Sequence, residues 1–281
     1  MDRVSCDHKV AGHQVSSRAE CAGEADRSHR TRAVGHFKHH HVLADDTLGA
    51  RIYSVVGERF EWIDGMMVRR NWVVGIDEVG RGALAGPVTV AVVALALDAR
   101  GRIIHAPFRS LKDSKKLSAP RREFWAKELR GNAAVRFAVA RVYPRGIERL
   151  NISAAANRAA WSAFSRLLKD HKLPPRTPIY LDGGLFLGGK ISQQKAVAAG
   201  KISAKTIVKA DEKFPVVAAA SIIAKVSRDR FMVRLAKRYP AYRFDIHKGY
   251  GTAAHIRAIK KNGPCEAHRL TFLAKQPTID K

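Results

Sequence analysis

From residue 71 onward the chain alternates two kinds of apolar spacing. Short apolar or alternating runs at Trp72–Ile76, Val88–Leu97, Ala134–Val142, Ile179–Leu181 and Lys205–Val208 read as strands of a buried sheet. Helical spacing fills the intervals. It predicts helices from Ser118 to Arg130 with Ser118 as N-cap, from Ile152 to Lys169 ending before Pro174 and Pro175, and from Val216 to Arg238. In the last of these, Ala-Ala-Ala-Ser-Ile-Ile-Ala-Lys (218–225) makes a small-residue face suited to packing on a sheet. A final helical region from Thr252 to about Lys275 is broken around Gly263 and Pro264. Alternation of this kind predicts an α/β fold with helices covering a sheet.

The N-terminal part follows another pattern. Residues 1–48 lack any sustained apolar period, are rich in His, Arg, Ser, Ala and Gly, and are expected to be disordered. The cluster His36, His39, His40 and His41 has metal-ligand residue types, but histidines on a polar segment without supporting partners are more often solvated. Arg51–Val68 has enough aromatic and aliphatic residues for one short strand or helix. The domain reading is therefore an extension over residues 1–65 and a main folded domain over 66–281 that includes the C-terminal helices. Met66 and Met67 are candidate natural starts, with the upstream segment as an appended arm.

Charge changes the picture more than composition does. Of the formal net charge of +26, residues 71–281 carry +25, with 40 Lys or Arg against 15 Asp or Glu. A field of that size on the folded part points to a polyanionic partner. Cys6, Cys21 and Cys265 show no metal or disulfide spacing, which fits a reducing cytoplasm. No apolar stretch approaches the roughly 18 residues of a membrane span, and no signal-peptide core is visible.

The chemistry begins at Asp77 and Glu78, adjacent carboxylates after the apolar run and before Gly80-Arg81-Gly82. Strand side chains alternate, so the two reach one site only where regular pairing stops, and the glycines are suited to stopping it. A dinucleotide-binding turn is disfavoured: Gly80, Gly82 and Gly86 give G-x-G-x-x-x-G, and two acids beside the turn would repel a pyrophosphate. Asp182 and Asp211 also fall at or just after predicted strand ends. Taken singly, Asp182 before Gly-Gly fits a turn residue and Asp211 fits a helix N-cap. Four carboxylates in one pocket would take up protons unless divalent cations neutralise them. All-oxygen donors favour Mg²⁺ or Mn²⁺, and a pair of such ions is a standard device for attack on a phosphodiester. Asp229 reads as a supporting acid or a salt-bridge partner on the long helix.

The ordered blocks resemble those of the ribonuclease HII family over residues 72–273. They are Asp-Glu-Val-Gly-Arg-Gly-Ala-Leu-Ala-Gly-Pro-Val (77–88), Asp-Ser-Lys-Lys-Leu (113–117), Ile147 with Leu150-Asn151-Ile152, and Leu181-Asp182-Gly183. There follow Lys209-Ala210-Asp211 with Ala218–Asp229, His247-Lys248-Gly249-Tyr250-Gly251-Thr252, and His268-Arg269 with Phe272. The resemblance implies a ribonuclease H-like mixed sheet flanked by helices, with Asp77, Glu78, Asp182 and Asp211 binding Mg²⁺ or Mn²⁺. It further implies that Gly80, Arg81 and Gly82 read a ribose 2′-hydroxyl, that Lys115 and Lys116 touch phosphates, and that Tyr250 stacks under a sugar. The substrates implied are RNA–DNA hybrids and duplex DNA containing ribonucleotides, cut to leave 5′-phosphate and 3′-hydroxyl ends. No protein partner is implied, and a monomer is the default.

Arg81 distinguishes the pattern from the Gly-Lys-Gly of ribonuclease HIII. The Asp182–Asp211 interval is longer than in short members, and its excess reads as a hairpin or loop insertion whose Lys190, Lys195, Lys201 and Lys205 add phosphate contacts. The alternative reading is a non-catalytic nucleic-acid-binding module on the same scaffold, and a weaker one is a nuclease of the same fold acting on DNA.

Overall fold

A computed structural model describes residues 71–111, 114–187 and 203–275 in full, and the backbone of four strands before them. Those strands, β1 (His41–Asp45), β2 (Arg51–Val55), β3 (Glu58–Ile63) and β4 (Met66–Arg69), form an antiparallel meander. Sequence pattern suggested one short element for 51–68; the backbone instead places three strands between Arg51 and Arg69. The rest of the stretch expected to be disordered, and its histidines before His41, lie outside the described residues.

The main sheet has five strands. They are β5 (Asn71–Val79), β6 (Val88–Leu97), β7 (Val135–Val142), β8 (Pro178–Asp182) and β9 (Ser203–Ile207), in the order β7-β6-β5-β8-β9. Pairing is antiparallel from β7 to β5 and parallel from β5 to β9, so the sheet is mixed. The helices are α1 (Ala119–Gly131), α2 (Pro144–Leu150), α3 (Ile152–Asp170), α4 (Ala210–Lys213), α5 (Pro215–Arg238), α6 (Phe244–His247), α7 (Ala253–Asn262) and α8 (Leu270–Leu273). Ser118 caps α1 as expected, accepting from the Arg121 amide. Asn151 caps α3 through the Ser153 and Ala154 amides.

Alternation along the strands divides the core into two layers. Trp72, Val74 and Ile76 of β5 with Val88, Val90 and Val92 of β6 pack against the alanine-rich face of α3, including Ala155, Ala159 and Ala163. On the other face Ala91, Val93 and Leu95 meet Val216–Ala224 of α5. The backbone of α5 comes so close to β5 that a Cβ at Gly75 would lie 2.4 Å from the Val216 carbonyl oxygen. That contact accounts for a glycine inside a buried strand.

A third cluster joins the end of α5 to the C-terminal helices and the segment after β5. Met232, Tyr242, Phe244, Ile259 and Leu273 pack there with Leu84 and Ala85. Among the described residues no helix is long and apolar enough to cross a membrane.

Candidate active site

The parallel half of the sheet ends in a cavity of about 330 Å³ lined by Asp77, Glu78, Gly80, Arg81, Gly82, Ser114, Lys115, Arg122, Asp182, Ser221, Lys225 and Tyr250. Its position follows from how pairing ends. β5 stays paired with β6 as far as Val79 opposite Thr89, but its pairing with β8 stops at Ile76 opposite Leu181. The expectation that pairing would cease at Asp77 therefore holds on one side only. Past Ile76 the lane between β5 and β8 is open, so carboxylates from opposite faces of β5 both line it. Asp77 lies on the α5 face and Glu78 on the α3 face.

Two positions are thus within β5 rather than beyond it. Asp77 is 4% exposed, and its Oδ1 accepts the Glu78 amide at 2.7 Å. Burial, the Glu78 charge and the Asp182 charge hold its carboxyl well above the usual range, against a hydrogen bond from Ser221. Burial also raises Glu78, with Arg81 working against it; Arg81 Nη1 lies 3.3 Å from Glu78 Oε1.

Asp182 ends β8, and its Oδ1 accepts the Ala210 amide at 2.6 Å. Because β9 runs parallel to β8 with Ile207 opposite Asp182, that bond brings the next turn of chain, α4, beside the β8 end. Asp211, on α4, is 1% exposed and does not act as an N-cap; residue 209 holds that place. Its Oδ2 is 3.1 Å from Lys115 Nζ. Asp211 is not part of the cavity lining itself, and Lys115 connects the two. Partial burial opposes protonation of Lys115, but its bond to Asp211 and the charges of Asp211, Asp77 and Asp182 raise it overall. Lys116 is exposed and outside the lining, and Asp113 lies outside the described residues.

The donor set suits a hard divalent cation. All four acids offer oxygen, and the buried Glu78 Oε2 and Asp211 Oδ1 have no hydrogen-bond partner. Such orphaned oxygens are costly unless a ligand completes them. Among the described residues no three His, Cys, Asp or Glu side chains are gathered closely enough to form a closed metal cluster. Arg81 pairs with Glu78 and Lys115 with Asp211.

The segment from Gly80 to Pro87 is fastened from behind by two buried arginines. Arg228 Nε donates to the Pro87 carbonyl, Nη1 to that of Lys248 and Nη2 to that of Ala85, at 3.0, 2.9 and 3.1 Å. Arg269 donates to the carbonyls of Gly80, Arg81 and Gly86 at 2.7–3.0 Å. Gly80 has φ +86°, and a Cβ there would lie 2.2 Å from Arg228 Nε, so only glycine fits. Tyr250 is half-buried, its ring 5.2 Å from the Arg228 guanidinium and 5.7 Å from Lys225 Nζ.

Asp229 lies outside the cavity and pairs with Lys225 at 2.9 Å, so it steers a cation that lines it. Sequence reasoning passed over Ser114, Ser221, Arg122, Lys225 and Arg228. Ser221, whose Oγ is 2.5 Å from that of Ser114, had a visible signal as the lone polar residue in Val216–Ala224. Of the interval after Asp182, residues 188–202 are outside the described set, and Lys205 sits on β9.

A larger cleft of about 430 Å³ lies among Tyr143, Phe231 and Tyr239, with Glu266 as its acid. The acids gather at the smaller cavity instead.

Comparison with known proteins follows the same residues. The family profile described as Ribonuclease HII matches residues 74–275. Ribonuclease HII of Nitratidesulfovibrio vulgaris is 41% identical over 203 residues, covering 72% of this chain and 86% of the relative. That of Endomicrobium trichonymphae is 43% identical over 200 residues, covering 71% and 84%. Among solved structures, ribonuclease HII in the PCNA:RNase HII complex from Archaeoglobus fulgidus superimposes with a TM-score of 0.55 at 30% identity, over 74% of this chain and 98% of that one. Bst-RNase HIII in complex with Mn²⁺ has a TM-score of 0.54 at 18% identity, covering 87% and 92%, and shares the fold. A sheet-end cavity lined by three acids, a glycine loop beside it and a profile match over residues 74–275 agree: this chain belongs to the ribonuclease HII family of metal-dependent endoribonucleases.

Proposed function

We propose that the protein hydrolyses the RNA strand of RNA–DNA hybrids and cuts on the 5′ side of ribonucleotides embedded in duplex DNA, leaving 5′-phosphate and 3′-hydroxyl ends. The observation that carries this is the cavity in which Asp77, Glu78 and Asp182 face the Gly80–Gly82 loop, with Asp211 joined through Lys115. Asp77, Glu78, Asp182 and Asp211 would hold Mg²⁺ or Mn²⁺, which when bound lowers the pKa of a coordinated water and offsets charge at the phosphate.

The chain's own residues do the rest. The loop from Gly80 to Gly82 brings backbone against the ribose, where a 2′-hydroxyl separates RNA from DNA. Arg228 and Arg269 fix that loop before substrate arrives, so little reorganisation remains. Tyr250 lies under the adjoining sugar. Lys115, Lys116 and Lys225 meet phosphates, giving affinity without sequence choice. We assign catalysis to residues 66–281 and treat 1–65 as an extension; a chain starting at Met66 that loses cleavage would refute that division.

The test is cleavage of three labelled duplexes, one with a single ribonucleotide, one RNA–DNA hybrid and one all DNA, with Mg²⁺, Mn²⁺ or EDTA. Metal-dependent cutting of the first two and none of the third is expected. Cleavage of all-DNA duplex, or binding without cleavage under either ion, would overturn the reading.

A further inference from the structure

Behind Tyr250 lie three histidines that the site itself does not use. His247, His255 and His268 are 8%, 0% and 3% exposed, and pack around Phe244. The ring of His255 stacks on that of His247 with centroids 4.2 Å apart, and its Nε2 meets His268 Nε2 at 3.1 Å.

The backbone settles which nitrogens carry protons. The Cys265 amide donates to His268 Nδ1 at 2.9 Å, closer than the Cys265 carbonyl oxygen and Sγ, both 3.3 Å away, and the Tyr250 carbonyl at the other end, which can only accept, fixes the same polarity. A neutral His268 then carries its proton on Nε2 and donates it to His255 Nε2. His255 in turn bears its proton on Nδ1, which is 2.9 Å from the Tyr250 carbonyl oxygen. Each link leaves one possibility for the next, because a neutral imidazole has one donor and one acceptor. A separate imidazole shows the same polarity: the Gly249 amide donates to His247 Nδ1 at 3.2 Å, leaving His247 Nε2–H for the Tyr242 carbonyl at 2.7 Å.

We propose that His268 and His255 are positioning residues, a directed chain of two neutral imidazoles that sets the height of the Tyr250 loop against the substrate sugar. The chain starts one residue before Arg269, which fastens the glycine loop. His268-Arg269 thus supports both substrate-facing loops from one point, and the loops are also joined directly, since the Leu84 and Ala85 amides donate to the Gly249 carbonyl at 2.8 and 3.2 Å. An added proton on His255 would set two N–H groups head to head. Burial, with His247 close by, holds both imidazoles neutral, their pKa values lowered to about 4.

This inference rests on the reading of Tyr250 as the residue beneath the sugar, and the experiment separates the two. Nitrogen-15 spectra of histidine in the full chain at neutral pH should show His268 protonated on Nε2 and His255 on Nδ1. With the single-ribonucleotide duplex, His255→Phe should lower kcat/KM about tenfold, mostly through KM, as expected for one lost hydrogen bond. His255→Asn, whose amide can replace the Nδ1–H donor, should restore most of it. In a Tyr250→Ala background His255→Phe should add nothing, since both act at one place.

The opposite tautomers, or an equal loss from His255→Phe in both Tyr250 backgrounds, would overturn the chain. So would a fall in Tm with kcat/KM unchanged, which is the mark of packing alone. Wild-type turnover by Tyr250→Ala, with the tautomers as assigned, would instead overturn the Tyr250 reading and with it the purpose given to the chain.

Discussion

Asp77 shows what a site residue costs the fold that holds it. Its carboxyl is buried, crowded by Glu78 and Asp182, and raised well above its usual pKa. The folded protein therefore binds this proton more readily than the unfolded chain, so the contribution is favourable at low pH and is lost as pH rises through the raised value. Asp77→Asn removes the charge while its Oδ1 can still accept the Glu78 amide. The variant should be more stable near neutral pH, with Tm higher by ~2–4 °C for each kcal/mol gained, and should bind substrate without cutting it. Thermal melts and the cleavage assay check both, and retained cleavage would remove Asp77 from the chemistry. Mn²⁺ should raise the Tm of the wild type and not of the variant. All four acids were legible because each closes or follows an apolar run. Lys225 was not, because a lysine at a helix position gives no sign of whether it meets solvent or, as here, Asp229 at the rim of a cavity.

Among the elements, the Gly80–Pro87 segment is the least replaceable. Gly80→Ala adds a Cβ where Arg228 already sits, at a positive φ. It should lower stability by about 1–3 kcal/mol and cut kcat/KM for ribonucleotide-containing duplex by ~100-fold, while affinity for all-DNA duplex barely changes. Melts and a binding titration decide this; an unchanged kcat/KM would mean that the loop does not read the sugar. The main-sheet strands and long helices were legible, since each spans enough residues for its period to show. The end of β5 was less so, because Asp77 and Glu78 interrupt the apolar pattern while pairing with β6 runs on to Val79. α2 escaped because seven residues beginning at Pro144 hold under two turns of period. The 3-10 turn at Ser114–Lys116 left no periodic trace either, although it delivers Lys115 to Asp211.

For the whole molecule, two opposed sets of groups shape stability against pH. His255 and His268, lowered to about 4, and His247, also lowered, are kept neutral. The unfolded chain protonates them first, so their contribution is complete above about 6.5 and falls away as pH drops towards 4. Asp245 raises His247 and Lys248 lowers it, while Tyr242 and Cys265 accept or donate through the backbone. Asp77 and Glu78, raised by burial, work the other way, their contribution being lost as pH rises. In an Asp77→Asn background, Tm should fall more steeply from pH 6.5 to 4 than in the wild type; a flat profile would show that the histidines are not buried neutral. The charge of residues 71–281 was legible from composition, but its depth was not. Arg228 and Arg269 carry charge in the interior, bonded to carbonyls, just behind the acids. At 0.1 M salt, exposed charges more than about 10 Å apart are largely screened, and buried charge far less. Rising ionic strength should therefore strip the protein from distant DNA before it weakens the grip at the point of cutting. Salt would then act less as an inhibitor than as a filter, releasing all-DNA duplex while a ribonucleotide in the cavity is still held.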